Sequence, residues 1–171
     1  LVRIERAARR LFSKQGYEQT TTRQIAEQAG IGIGTLFVYF PEKRDLLFHL
    51  FSTDVRAVKQ AAFADLPAGT LVDKLMAVFT RFFDYYERDP GLSRVFVKEM
   101  GFVSDRDRPA NNSLALEAMT ALAGLIEEAQ RAGEVDRGIT PLAAAFHIFS
   151  IYFAALVGWL GGSIPVRDNQ L

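Results

Sequence analysis

Thr20 to Lys43 reads TTTRQIAEQAGIGIGTLFVYFPEK, and two short helices joined by a tight turn follow directly from it. Thr21 stands three residues before Gln24, the spacing at which an N-cap hydroxyl and an N3 amide each satisfy a backbone N–H that the helix leaves open. A helix therefore starts at Thr22. Ile25, Ala26 and Ala29 recur on one face, and Gly30 follows as a residue free to turn the chain left-handed. A second helix runs from Ile33 to Phe40, with Leu36 and Phe40 four apart on its inner side, and Pro41 stops it. Capped helix, glycine turn and second helix make a helix-turn-helix, and the second helix is the candidate reader of a DNA major groove.

Outward from this stretch, residues 2–15 form a helix with Ile4, Ala7, Ala8, Leu11 and Phe12 on one face and Arg3, Arg6, Arg9 and Arg10 mostly elsewhere; Gly16 closes it. On the other side, Leu46, Leu47, Leu50, Phe51, Val55 and Val58 continue a helical pattern from Glu42, and Leu66-Pro67-Ala68-Gly69 breaks it.

These residues resemble the tetracycline-repressor (TetR) family of bacterial regulators. The likeness runs through Leu11-Phe12, Gly16-Tyr17, Thr21, Ile25-Ala26, the glycine turn, Gly34-Thr35-Leu36-Phe37, Tyr39-Phe40, Lys43 and Leu46-Leu47, over about the first 50 residues. The resemblance implies an all-α fold: an N-terminal three-helix helix-turn-helix domain over residues 1–48, then a helical ligand-binding and dimerisation bundle over 49–171. It also implies that Thr21, Thr22 and Arg23, at the positive end of their helix, meet the DNA backbone, and that Lys43 contacts a phosphate. Ile33, Gly34, Thr35, Phe37, Val38 and Tyr39 are the candidate groove-facing residues. Here the chain departs from the family: Gly32 stands where Ser commonly caps, Ile33 where Lys is frequent, Phe37 where Tyr is commoner, and Val38 where a polar or aromatic residue is usual. Polar groups are scarce, so apolar contact with thymine methyls and DNA shape carry more of the expected reading.

Composition fits this picture without deciding it. With 171 residues, 49% hydrophobic and 14 Phe, the chain is long and apolar enough for a sizeable core. It has no Cys, which removes disulfides and thiolate chemistry and suits a cytoplasmic protein. Net charge is zero, but residues 1–48 carry eight Lys+Arg against five Asp+Glu, and residues 49–171 twelve against fifteen. The basic excess lies on the side that would face phosphates.

In the second region, Leu71, Leu75, Val78, Phe79, Phe82, Phe83 and Tyr86 trace an apolar face that ends at Asp89-Pro90. A short helix with Leu92, Val95, Phe96 and Met100 follows, and Gly101 to Asn112 reads as a loop. Another amphipathic helix runs from Leu114 to Ala129 and closes near Gly133. By resemblance this region encloses a pocket for a small apolar or aromatic effector. The candidate walls are Val55, then Phe79, Phe83 and Tyr86, then Met100, Met119 and Leu122, and finally Phe149 and Tyr152. Each is equally a residue type that plain bundle core would use.

From Pro141 the chain is apolar nearly all round and long enough to span a membrane. His147, Ser150, the lack of basic flanks and the amphipathic helices before it favour burial between its own bundle and a second subunit. By resemblance this helix and a following one form a homodimer interface, with Phe153, Leu156, Trp159 and Leu160 as candidates; the chain ends a few residues into that next helix.

His49 and His147 fall on separate helices with no HExxH spacing, and GxSxG, Walker and dinucleotide-binding patterns are all missing. Asp105 with Asp107, and Glu127 with Glu128, read as solvated loop and helix exterior. The expectation is no enzyme, metal or cofactor. The chain reads as a ligand-responsive transcriptional regulator, a repressor by resemblance, whose partners are double-stranded DNA, a small effector and its own second copy, with no membrane. The rival reading is a helical carrier or scaffold that binds an apolar ligand and keeps a degenerate helix-turn-helix.

Overall fold

A computed structural model describes residues 1–100 and 108–165. The helices in chain order are α1 (Val2–Gln15), α2 (Thr22–Ala29), α3 (Ile33–Tyr39), α4 (Lys43–Ala64), α5 (Leu71–Glu87), α6 (Pro90–Met100), α7 (Arg108–Arg131) and α8 (Pro141–Leu160). No strand occurs among the described residues.

The first three helices form as the local chemistry dictates. α1 buries Ile4, Ala7, Ala8, Leu11 and Phe12 and stops at Gly16, whose φ of 81° suits glycine. At the start of α2 the capping box closes in both directions. The Gln24 N–H donates to Thr21 Oγ1 at 3.2 Å, and the Thr21 N–H donates to Gln24 Oε1 at 2.9 Å. Gly30 takes the left-handed conformation at φ 65°, ψ 44°, which lets the Ile31 N–H reach back to the Ala26 carbonyl at 3.0 Å. α3 starts from Gly32 with no side-chain cap bond, so packing of Leu36 and Phe40, 1% and 7% exposed, holds it in place.

α4 joins the two halves of the molecule. It buries Leu46, Leu47, Phe48, Leu50, Phe51, Val55 and Ala62, more than one stripe of its surface, because α1 grips it on one side and α5, α6 and α7 on the other. One buried cluster consequently runs from Ile4 in α1 to Leu160 in α8. The division expected after residue 48 falls within α4, a single uninterrupted helix. A second, smaller cluster of Leu122, Ala123, Ile126 and Ala145 fastens α7 to α8.

The loop expected over Gly101 to Asn112 is corrected at its far end. Helix α7 begins at Arg108, so Pro109 sits in its first turn, where the missing N–H costs no intrahelical bond. The charges and the proline looked like a loop because a helix start uses the same residues. Residues 101–107, with Asp105 and Asp107, and the start of a further helix after residue 165 lie outside the described residues.

α8 is the one helix among the described residues long and apolar enough to cross a membrane, with a mean hydropathy of 1.8 over its most apolar window, of which 17% is buried in the chain. Ala145, Tyr152, Leu156 and Leu160 point into the bundle, while Leu142, Phe146, Ile151 and Val157 form an outward apolar stripe.

Candidate DNA interface and ligand cavity

At the amino end of the molecule, Thr21, Thr22 and Arg23 occupy the cap and first turn of α2, with Arg23 exposed. The free N–H groups there and the helix dipole favour an anion. On α3, Leu36 turns inward while Ile33, Gly34, Thr35, Phe37, Val38 and Tyr39 face solvent. Val38 is 80% exposed, far more than its neighbours in a helix of only seven residues.

Lys43 sits differently from a side chain reaching for a phosphate. Its Nζ donates to the Tyr17 carbonyl at 2.7 Å and lies 4.1 Å from the centre of the Tyr17 ring. Desolvation there lowers its pKa from the ordinary lysine value. The reason is positional: the first turn of α4 packs beside the turn between α1 and α2, which puts Tyr17 within reach.

Polar bridges join this unit to the rest. The Arg9 guanidinium binds both oxygens of Asp54, His49 Nε2 lies 2.8 Å from Glu5 Oε1, and Arg44 lies 3.9 Å from Glu99 on α6.

Between α4, α5, α6, α7 and α8 lies a predominantly apolar cavity of about 70 Å³. Of the expected wall residues, Val55, Phe79, Tyr86, Met100, Leu122, Phe149 and Tyr152 line it. Phe83 and Met119 do not. Phe83 instead packs edge-on against Trp159 at 5.7 Å and faces an open groove between α5 and α8. Sequence reading passed over Phe63, Val78, Phe82, Phe96, Leu114 and Ala118, which share the ordinary core pattern, and Lys59.

Lys59 is the sole charged residue on the described lining. It also borders a shallow surface depression with Ser113, Leu116, Glu117 and Thr120, which places it at the mouth. Its Nζ is 2.7 Å from Glu117 Oε2, and Arg56 Nε is 3.4 Å from Oε1 of the same carboxylate. Hydrogen bonds from Lys59 and Ser113 hold the Glu117 carboxyl below the usual carboxylate range. Farther along the lining, burial pushes the Tyr86 and Tyr152 hydroxyls above the ordinary tyrosine value.

The residues expected to face a second subunit divide. Leu156 and Leu160 are 1% and 3% exposed within the single chain, Phe153 lines the cavity, and Trp159 is half-buried against Phe83. The uncovered apolar positions of α8 are one step round the helix, at Leu142, Phe146, Ile151 and Val157. An all-apolar helix carries no periodicity from which to tell its two faces apart.

Comparison with known proteins places this arrangement. Residues 4–50 match the family of bacterial regulatory proteins called the tetR family. The fatty acid metabolism regulator protein of Bacillus subtilis is 26% identical over 155 residues, which cover 90% of this chain and 80% of that protein. An HTH-type transcriptional regulator of Staphylococcus aureus is 42% identical over 53 residues, 31% of this chain and 29% of its own length, so that likeness is confined to one end. Among solved structures, FadR from Thermus thermophilus, a TetR-family transcriptional repressor in complex with lauroyl-CoA, matches with a TM-score of 0.80 and 22% identity, covering 98% of this chain and 86% of that one. Bacillus subtilis FadR in complex with stearoyl-CoA matches with a TM-score of 0.76 and 26% identity, covering 94% and 87%. Residues 4–50 thus carry the helix-turn-helix of the tetR family of bacterial regulatory proteins, and nearly the whole chain shares its fold with solved regulators of that family.

Proposed function

We propose that this regulator is a homodimeric repressor that leaves its DNA when a long acyl chain, carried as a coenzyme A thioester, enters the cavity. The observation that carries the reading is the position of α4. Its first residues adjoin the helix-turn-helix, and farther along Val55, Lys59 and Phe63 form one wall of the cavity. A ligand that prefers one setting of α4 shifts the population of recognition-helix positions. The apolar walls suit the acyl chain, and Lys59 and Arg56 at the mouth suit anionic phosphates. The acyl-CoA complexes of the two FadR proteins support this choice of effector.

Two copies would pair through the outward stripe of α8, which removes exposed Leu142, Phe146, Ile151 and Val157 from water and sets two recognition helices on a near-palindromic site. Such a regulator works in the cytoplasm, where the chromosome is.

The test is selection of the purified protein on a random duplex-DNA pool, followed by titration of the selected complex with acyl-CoA of increasing chain length, free fatty acid and coenzyme A. An enriched inverted repeat released by acyl-CoA at the lowest concentrations is the expected result. Acyl-CoA binding by folded protein that enriches no DNA would overturn the reading in favour of a carrier.

A further inference from the structure

Four aromatic rings pack around Tyr152. Phe79 stacks on it at 4.7 Å, and Phe82, Phe83 and Phe149 lie at 6.0, 5.6 and 6.1 Å between ring centres. The side chain lines the cavity, yet its hydroxyl is buried and has no hydrogen-bond partner among the described residues. A phenylalanine would pack in this cage equally well. Buried phenolic hydroxyls normally find a partner, and an unpaired one destabilises the fold that keeps it. Burial, with Tyr86 nearby, keeps the group protonated far above neutral pH, so it offers a donor. The missing element is an acceptor, and the cavity is where one would arrive.

We propose that Tyr152 is a specificity-determining residue whose hydroxyl donates a hydrogen bond to an oxygen bonded to the acyl carbon chain of the effector, and that the cavity selects such an oxygen against bare hydrocarbon. This rests on the acyl effector inferred above. The oxygen has two possible sources with the same chemistry, the thioester carbonyl or a hydroxyl or keto group along the chain. Apolar walls select chain length only coarsely, about one order of magnitude per methylene or two, whereas a buried donor left unpaired discriminates more sharply. The four-ring cage fixes the donor in place and supplies the orientation that such selection needs.

The test measures binding by calorimetry without DNA, for the full chain and its Tyr152→Phe variant. The ligands are lauroyl-CoA, its thioether analogue without the carbonyl, and hydroxy- and keto-lauroyl-CoA. A melting temperature of the variant equal to or above that of the parent would confirm that it keeps the packing. If the carbonyl is the acceptor, Tyr152→Phe weakens lauroyl-CoA about tenfold and leaves the thioether unchanged. If the acceptor lies along the chain, only the hydroxy or keto compounds lose affinity. Equal affinities of variant and parent for all four ligands would overturn the proposal while leaving the acyl effector intact. Failure of every ligand to bind the parent protein would instead remove the acyl effector and this inference with it.

Discussion

Arg9 on α1 and Asp54 on α4 form a two-pronged ion pair, Nη1 to Oδ2 at 2.7 Å and Nη2 to Oδ1 at 2.8 Å. The Tyr85 hydroxyl, from α5, donates to the same Oδ2 at 3.1 Å. One carboxylate thus ties together the helix behind the DNA reader, the shared helix and the sensor bundle. Asp54→Asn keeps the shape but removes the charge and one accepting oxygen. Because Arg9 is about half exposed, the expected loss of stability is small, about 2 °C in melting temperature. The larger expected effect is on coupling: the ratio of DNA affinities with and without effector should shrink several-fold in paired binding titrations. An unchanged ratio would show that this bridge only holds the fold.

Arg23 and Lys43 separate two roles for a positive charge. Arg23 is exposed at the start of α2, while Lys43 is engaged by the Tyr17 carbonyl and ring. Arg23→Ala should weaken binding to all DNA sequences alike and reduce the slope of log affinity against log salt by about 1. Lys43→Ala should cost folding stability, about 1 kcal/mol, through the lost hydrogen bond and ring contact. Salt-dependent DNA titration and urea unfolding of both variants check the pair.

Ala118 is a small residue on the cavity wall. Ala118→Phe places a ring where the acyl chain would lie. The concentration of lauroyl-CoA that half-releases DNA should rise at least about tenfold, since a filled cavity must be repacked before a ligand enters. Release at the same concentration as the parent protein would place the effector elsewhere.

Ile151 is 72% exposed among the outward apolar positions of α8, at the edge toward the groove with α5. Ile151→Glu should leave the single-chain core intact and split the dimer, seen as a halved mass in sedimentation equilibrium. Loss of DNA affinity should accompany it, because each half-site alone binds weakly. A variant that stays dimeric would move the interface off this stripe.

Tyr17 sets an alkaline limit. Desolvation, with Glu99 and Glu18 nearby, pushes its pKa up to about 12, against about 10 in an unfolded chain. The folded state therefore resists ionisation: its contribution is fully present below about pH 10 and is lost as pH rises from 10 towards 12. Melting temperature should fall above pH 10, and fall less steeply in Tyr17→Phe. Identical slopes in the two proteins would remove Tyr17 from the alkaline transition.

Much of the fold and of the DNA side was legible because its information is local. Thr21 and Gln24 are three residues apart, Gly30 and Pro41 act on their own backbone, and the box, the left-handed turn and the helix stop all occur where those residues stand. The cavity was legible only in kind. Phe79 and Phe83 are four residues apart on one helix and are the same residue type, yet one lines the cavity and the other packs on Trp159 outside it. That difference depends on the rotation of α5 against α8, which no pattern along one helix records.

The amino-acid sequence by itself determined the helix-turn-helix and the all-helical order, because caps, turns and helical periodicity act within a few residues of themselves. Tertiary structure alone decided that Lys43 is spent on Tyr17, that Lys59 stands at the cavity mouth beside Glu117, and that Tyr152, on the cavity lining, keeps a buried hydroxyl with no partner among the described residues. Each of those facts joins residues far apart in the chain, and only the packing of one helix on another brings them within bonding distance.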